Sequence, residues 1–165
     1  MQVAIIMGSF SDHEIGLEVA RQLEAFGVAW DMKVFSAHRS LEGALAYIDE
    51  MEEAGVQVFI GIAGKAAHLA GVIAGHTTKP VIGIPAKSSF GGGMDSLLST
   101  VQMPSGVPVA TVAVNGGKNA AILATQILAT GDEALAQKLK DFKRGLAEDV
   151  RGMNEQLEEA VREKL

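Results

Sequence analysis

The chain contains no cysteine, which excludes a disulfide framework and any thiolate metal site. Aromatic residues make up 5% of it, with one tryptophan and one tyrosine, so the aromatic walls of a flavin carrier are poorly supplied. Basic residues are outnumbered, 14 against 20 acidic ones, for a net charge of −6. That balance argues against a general nucleic-acid or anionic-membrane surface, so any phosphate recognition must be local. No apolar run approaches the ~18 residues that a membrane helix needs. The amino terminus enters a strand pattern after two residues and leaves no room for a secretory leader. These absences lead us to expect a soluble cytoplasmic protein.

What is present is an alternation of strand-like and helix-like patterns over 165 residues, 48% of them hydrophobic. That length suits one domain able to bury about 68–70% of its unfolded surface. The patterns predict strands at 3–7, 29–35, 56–62, 80–85 and 107–114. Between them lie predicted helices ending near 26, at 41–54, 66–75 and 94–101, followed by one at 119–130. Five βα units imply a parallel sheet with right-handed crossovers and helices on both faces. The expected fold is α/β and flavodoxin-like, a three-layer sandwich with a central five-stranded parallel sheet in the order 2-1-3-4-5. The domain is expected to span residues 1–165, with a core at about 3–130. A long charged amphipathic helix at about 132–165 extends it.

The helix predicted at 66–75 is rich in small residues: Ala66, Ala67, Ala70, Gly71, Ala74 and Gly75. Two readings remain open for it, close packing on the sheet or a face shared between subunits.

Polar groups gather at predicted strand ends, the edge where open α/β sheets bind ligands. Gly8-Ser9-Phe10-Ser11-Asp12 joins the first strand to its helix. Glycine permits a tight turn, the helix start attracts an anion, and Ser9 and Ser11 add hydroxyls. Asp12 would repel phosphate but suits a sugar diol. An ordinary serine-rich turn capped by Asp12 fits the same residues. It is neither a P-loop nor a dinucleotide fingerprint.

Ser36-Ala37-His38-Arg39 ends the second strand. Arg39 suits a forked grip on phosphate or carboxylate, and His38 suits proton transfer near neutral pH. A solvated strand end is the bland alternative. Lys65 and His68, three apart, are expected on one face of the third helix near its start. His13 and His76 read as surface or packing residues, and the histidine spacing gives no metal site. Lys87-Ser88-Ser89-Phe90-Gly91-Gly92-Gly93 reads as a mobile loop or lid, since three glycines in a row are costly to order.

Taken together, these segments resemble one family. Met7-Gly8-Ser9-x-Ser11-Asp12, Ser36-Ala37-His38-Arg39, Ala63-Gly64-x-Ala66-Ala67-His68-Leu69-x-Gly71, Asp95-Ser96-Leu97-Leu98-Ser99 and Val101-Gln102-Met103-Pro104 are similar to the bacterial 5-(carboxyamino)imidazole ribonucleotide mutases of purine biosynthesis. Lys118-Asn119-Ala120-Ala121 also fits. The resemblance covers about residues 3–130, in order.

It implies an enzyme without metal or organic cofactor, assembled as a homo-octamer, that moves a carboxyl group from the exocyclic amine to C4 of a phosphorylated imidazole ribonucleotide. It further implies that His38 shuttles the proton and that Ser9, Ser11 and Arg39, beside Ser36, bind the 5′-phosphate. Asp12 would hold the ribose, and the Gly64 segment with His68 would close on the base and the migrating carboxylate.

The chain departs from the family pattern at Lys65, where these mutases usually have glycine, and at Ala70, where they usually have proline. Ser40-Leu41-Glu42 replaces the usual Thr-Pro-Asp. Lys65 stands near the position of an arginine in related carboxylases that use free CO2. A direct carboxylase is therefore the alternative activity, and a non-catalytic nucleotide-binding module the alternative class. A phosphate-accepting receiver is excluded, because Gly8-Ser9 and Ala63-Gly64 stand where it needs acids.

Overall fold

Three apolar runs become adjacent parallel strands because each has a hydrophobic layer to bury on both faces. In the computed structural model, which describes residues 1–165, these are β1 (Val3–Met7), β3 (Val58–Ala63) and β4 (Val81–Pro85). Together with β2 (Trp30–Val34) and β5 (Ala110–Thr111) they form one parallel sheet in the order β2-β1-β3-β4-β5. This is the expected order.

Alternation along the strands divides the core in two. Val3, Ile5 and Met7 face one way with Val58, Ile60, Ile62, Ile82 and Ile84. On that side pack α1 (His13–Phe26), α5 (Gly117–Leu128) and the start of α6 (Glu133–Lys164). Ala4, Ile6 and Phe59 face the other way, under α2 (Leu41–Glu53) and α3 (Leu69–His76). α4 (Met94–Val101) adjoins β4 and β5. Each fully buried aliphatic side chain contributes roughly 1.5–3 kcal/mol.

The small-residue stretch packs closely on the sheet. Gly61 and Gly83 are register partners on β3 and β4. A Cβ at Gly61 would lie 3.0 Å from Ala70 Cα, and one at Gly83 would lie 3.3 Å from Ala70 Cβ. The two missing side chains let the α3 backbone settle on the sheet.

Two expectations are corrected. The fifth strand was expected over 107–114, yet only Ala110 and Thr111 pair with Ile82 and Gly83. Pro108 lacks the amide that a ladder needs, and β5 is an edge with a partner on one side alone. The third helix was expected from 66 but begins at Leu69, because Lys65 adopts φ +57° and turns the chain before any helix forms.

At the carboxyl end, Asp132 caps α6 by accepting the Leu135 amide at 3.0 Å. Phe142 meets Phe26 edge-on at 5.4 Å, and Lys138 Nζ donates to the Phe26 carbonyl at 2.6 Å, capping the end of α1. Beyond that anchor, Leu146, Val150, Met153, Leu157 and Val161 are exposed along the rest of the helix. No helix is long and apolar enough to cross a membrane.

Candidate active site

The carboxyl ends of β1 to β4 are drawn level by ladder bonds that outlast the strands. Gly8 N–H donates to the Ile62 carbonyl at 2.8 Å, Phe35 N–H to Met7 at 2.9 Å and Ala86 N–H to Ala63 at 2.8 Å. Above this edge lies a cavity of about 550 Å³. All nine residues singled out from the sequence line it: Ser9, Ser11, Asp12, Ser36, His38, Arg39, Gly64, Lys65 and His68.

The β1 turn is built by its serines. Ser9 is extended, and its Oγ accepts the Ser11 amide at 3.3 Å, starting a single 3-10 turn over Phe10–Asp12. Asp12 precedes α1 without making a side-chain cap bond. Its carboxyl is raised above the usual carboxylate range, chiefly because burial penalises its charge; hydrogen bonds from Ser11 and the Ser9 backbone pull it partly back. A half-buried carboxylate that caps nothing is placed to accept bonds from a ligand.

The β2 end is organised around Ser36. Its amide donates to Ser40 Oγ at 2.8 Å, and its own Oγ accepts the His38 amide at 3.3 Å and Arg39 Nε at 3.4 Å. With Nε engaged, the terminal nitrogens of Arg39 remain for an anion.

His38 and His68 meet across the site. Nε2 of His38 lies 2.9 Å from Nδ1 of His68, with the rings 5.0 Å apart at 73°. Only one hydrogen fits that gap, so one ring donates while the other accepts. Lys65 and His68 do not share a helical face, as their spacing suggested. Lys65 sits in a left-handed turn, where a non-glycine residue costs roughly 1–2 kcal/mol, and His68 stands just before α3.

Sequence reasoning missed Lys87 and Ser88 as cavity residues. Their signal was position, two and three residues beyond Pro85 at the end of β4. Ser88 is held by its hydroxyl donating to Asp95 Oδ1 at 2.6 Å, and Asp95 also accepts the Ser96 amide at 2.8 Å. The Lys87 amide donates to Asn115 Oδ1 at 2.8 Å. Ser96, fully buried, has its hydroxyl within bonding reach of the Ala86 and Gly93 carbonyls, at 2.7 and 2.9 Å. These bonds explain Asp95-Ser96 as the clasp of the glycine-rich loop.

His13 stacks on Phe10 at 4.7 Å, and His76 bonds Asp49 at 2.7 Å. Neither lines the cavity. No three histidine or acidic side chains stand close enough to share a metal ion.

Comparison with known proteins places this arrangement. The AIR carboxylase family model matches residues 2–149. An N5-carboxyaminoimidazole ribonucleotide mutase of Pyrococcus horikoshii is 49% identical over 157 residues, 95% of this chain and 89% of that protein. The mutase of the same name from Bacillus subtilis is 46% identical, over 94% of this chain and 97% of its own. The crystal structure of Treponema denticola PurE superposes with a TM-score of 0.88 at 30% identity, covering 94% of this chain and 98% of that one. By a match running through nearly the whole sequence and by its fold, the chain belongs to the AIR carboxylase family.

Proposed function

We propose that the chain is an N5-carboxyaminoimidazole ribonucleotide mutase of purine biosynthesis, with the cavity at the β1–β4 edge as its active site. The observation that carries this reading is the His38–His68 contact, which sets a proton-transfer group beside serines and an arginine suited to phosphate. The extensive identity to mutases of that name supports it further.

The chemistry asks for one proton given and one taken. Protonating the carbamate nitrogen lets the N–C bond break, its electron pair staying on nitrogen, and CO2 is freed. The C4 carbon of aminoimidazole ribonucleotide then attacks CO2 with the ring's enamine electrons. Loss of the C4 proton restores aromaticity. His38 gives the first proton and recovers the last, so the cycle closes without net proton change. His68 holds the ring in orientation through their shared hydrogen. Ser9, Ser11, Ser36 and Arg39 bind the 5′-phosphate, Asp12 binds the ribose, and the Gly64–His68 turn closes over the base. Excluding water keeps CO2 in place, a task suited to the 86–93 loop as a lid.

The whole chain acts as one domain in the cytoplasm, and its assembly is a homo-octamer. Exposed Phe90, Met94, Leu98 and Val101, with the apolar stripe on the outer half of α6, supply surface for contacts between copies. Light scattering on the purified protein reads the assembly directly, and a monomer at micromolar concentration removes it.

The activity is tested by offering carboxyaminoimidazole and aminoimidazole ribonucleotides separately, with and without bicarbonate, in chelator. Turnover of the first without bicarbonate is expected. Turnover confined to the second with bicarbonate would identify a direct carboxylase instead.

A further inference from the structure

The cavity is lined by three cations, Arg39, Lys65 and Lys87, against the single carboxylate of Asp12. A ribonucleotide phosphate, carrying about −1.5 to −2 charge, occupies Arg39 and the serine hydroxyls near it. That leaves two lysines, and neither joins an ion pair in the structure. The substrate and product of the proposed reaction carry one more negative charge, the carboxyl group that moves.

Lys65 is set apart from Lys87 by its backbone. Its φ of +57° is shared by only one other non-glycine residue, Asn115. Its carbonyl is held by the Ala67 amide at 2.9 Å, with Ser99 Oγ at 3.5 Å. Glycine takes this conformation freely, whereas a lysine there is retained against strain, and such outliers gather at ligand sites. The turn also leads within three residues to His68, bonded to His38. In the sheet β1 separates β2 from β3. The Arg39 and Lys65 strand ends are thus two spacings apart, roughly 9–10 Å, with the histidine pair bridging them. A ligand whose phosphate lies on the β1 and β2 ends has the histidine pair between that phosphate and Lys65.

Resting on the mutase reading, we infer that Lys65 determines specificity for the migrating carboxyl group. Its ammonium pairs with the carboxylate of the carboxyamino substrate and again with the C4 carboxylate of the product. The ammonium meets the carboxylate already in the bound substrate and gains nothing as that charge is lost toward CO2, so its contribution lowers KM and does not raise kcat.

Calorimetric titration of two ligands tests this assignment: the C4-carboxylated ribonucleotide, and aminoimidazole ribonucleotide, which shares its phosphate and ribose. Lys65→Met is expected to weaken the first about tenfold, the equivalent of ~1.4 kcal/mol, and to leave the second unchanged. Lys65→Gly, which relieves the backbone and keeps the fold, is expected to match it. Lys65→Arg is expected to restore most of the loss. In turnover, KM for the carboxyamino substrate is expected to rise in Lys65→Met while kcat stays within about threefold.

Equal weakening of both ligands, weakening of neither, or selective loss in Lys87→Met instead of Lys65→Met overturns the assignment. Wild-type protein that binds the carboxyamino ribonucleotide without isomerising it overturns the mutase reading, and this assignment with it. Unchanged discrimination in Lys65→Met beside an active wild type overturns the assignment alone.

Discussion

The Nε2 atom of His38 stands 2.9 Å from Nδ1 of His68, joining the end of β2 to the turn after β3 over the strand that separates them in the sheet. The bond pins two loops against each other and gives one imidazole an orienting partner. A proton-transfer group acts only when its ring is aimed. Replacing His38 by asparagine keeps a polar side chain but removes the imidazole that would carry the proton. His38→Asn is expected to lower kcat by about 10²–10⁴-fold, the usual worth of general acid–base catalysis. Ribonucleotide affinity is expected to stay within about tenfold, because the groups proposed for phosphate and ribose are left in place. Full turnover by His38→Asn removes this histidine from the mechanism.

Asp12 offers a test with the opposite signs for stability and function. Burial raises its carboxyl above the ordinary value of 3.8, so the folded protein holds that proton more tightly than the unfolded chain. The charge is then a cost to folding once the pH exceeds the unfolded value, and the cost grows until the folded group has also ionised. Asp12→Asn removes it without losing a helix cap, since none is made. The variant is expected to melt higher than wild type at pH 7. That gain is expected to shrink as the pH falls toward 3.8 and below. Ribonucleotide affinity is expected to fall at the same time, which calorimetry at pH 7 would read. A variant melting at or below wild type at neutral pH contradicts the burial argument.

The sheet was legible because its strands carry their own instructions. Val3–Met7 and Val58–Ala63 are apolar at nearly every position, a pattern that only a doubly covered parallel strand requires. The polar residues that follow the strands, Ser9 after β1 and His38 after β2, mark the ligand edge by position alone. Lys65 was misread because lysine carries no local signal for positive φ; the turn that imposes it is made by Ala67, Ser99 and the strand beneath. The fifth strand was overdrawn because hydrophobic alternation cannot report a missing neighbour at an edge. Lys87 was overlooked because the glycines after it suggested mobility, whereas Asp95 and Ser96, close in space, hold that loop.

Gly83 tests the close seating of α3 and α4 on the sheet. A Cβ there would overlap the Thr100 methyl and lie 2.9 Å from Val109 Cγ1. Gly83→Ala therefore forces β4, α4 or the edge strand to shift. Overpacking of this kind costs about 1–3 kcal/mol, read as a lower urea midpoint with unchanged m-value. Gly75→Ala is the matched control, since its Cβ would meet nothing within 4 Å. As an alanine inside a helix it is expected to stabilise by up to ~1 kcal/mol.

The clasp between Ser88 and Asp95 separates a lid from a mere loop. The Ser88 hydroxyl donates to Asp95 Oδ1 at 2.6 Å, and Ser88 lines the cavity. Gly91, Gly92 and Gly93 all take positive φ, so the segment between them has little stiffness of its own. If the loop retains CO2 between its release and recapture, loosening it opens a leak. Asp95→Ala is expected to release aminoimidazole ribonucleotide during turnover of the carboxyamino substrate, a product that wild type is expected to withhold. Faster amide exchange is expected across 86–93. Asp95→Asn keeps an acceptor oxygen and is expected to restore most of the coupling. The two readouts must move together for the lid to stand: rapid exchange with no escaped aminoimidazole ribonucleotide means that the loop opens without holding CO2, and leaves retention to the Gly64–His68 turn.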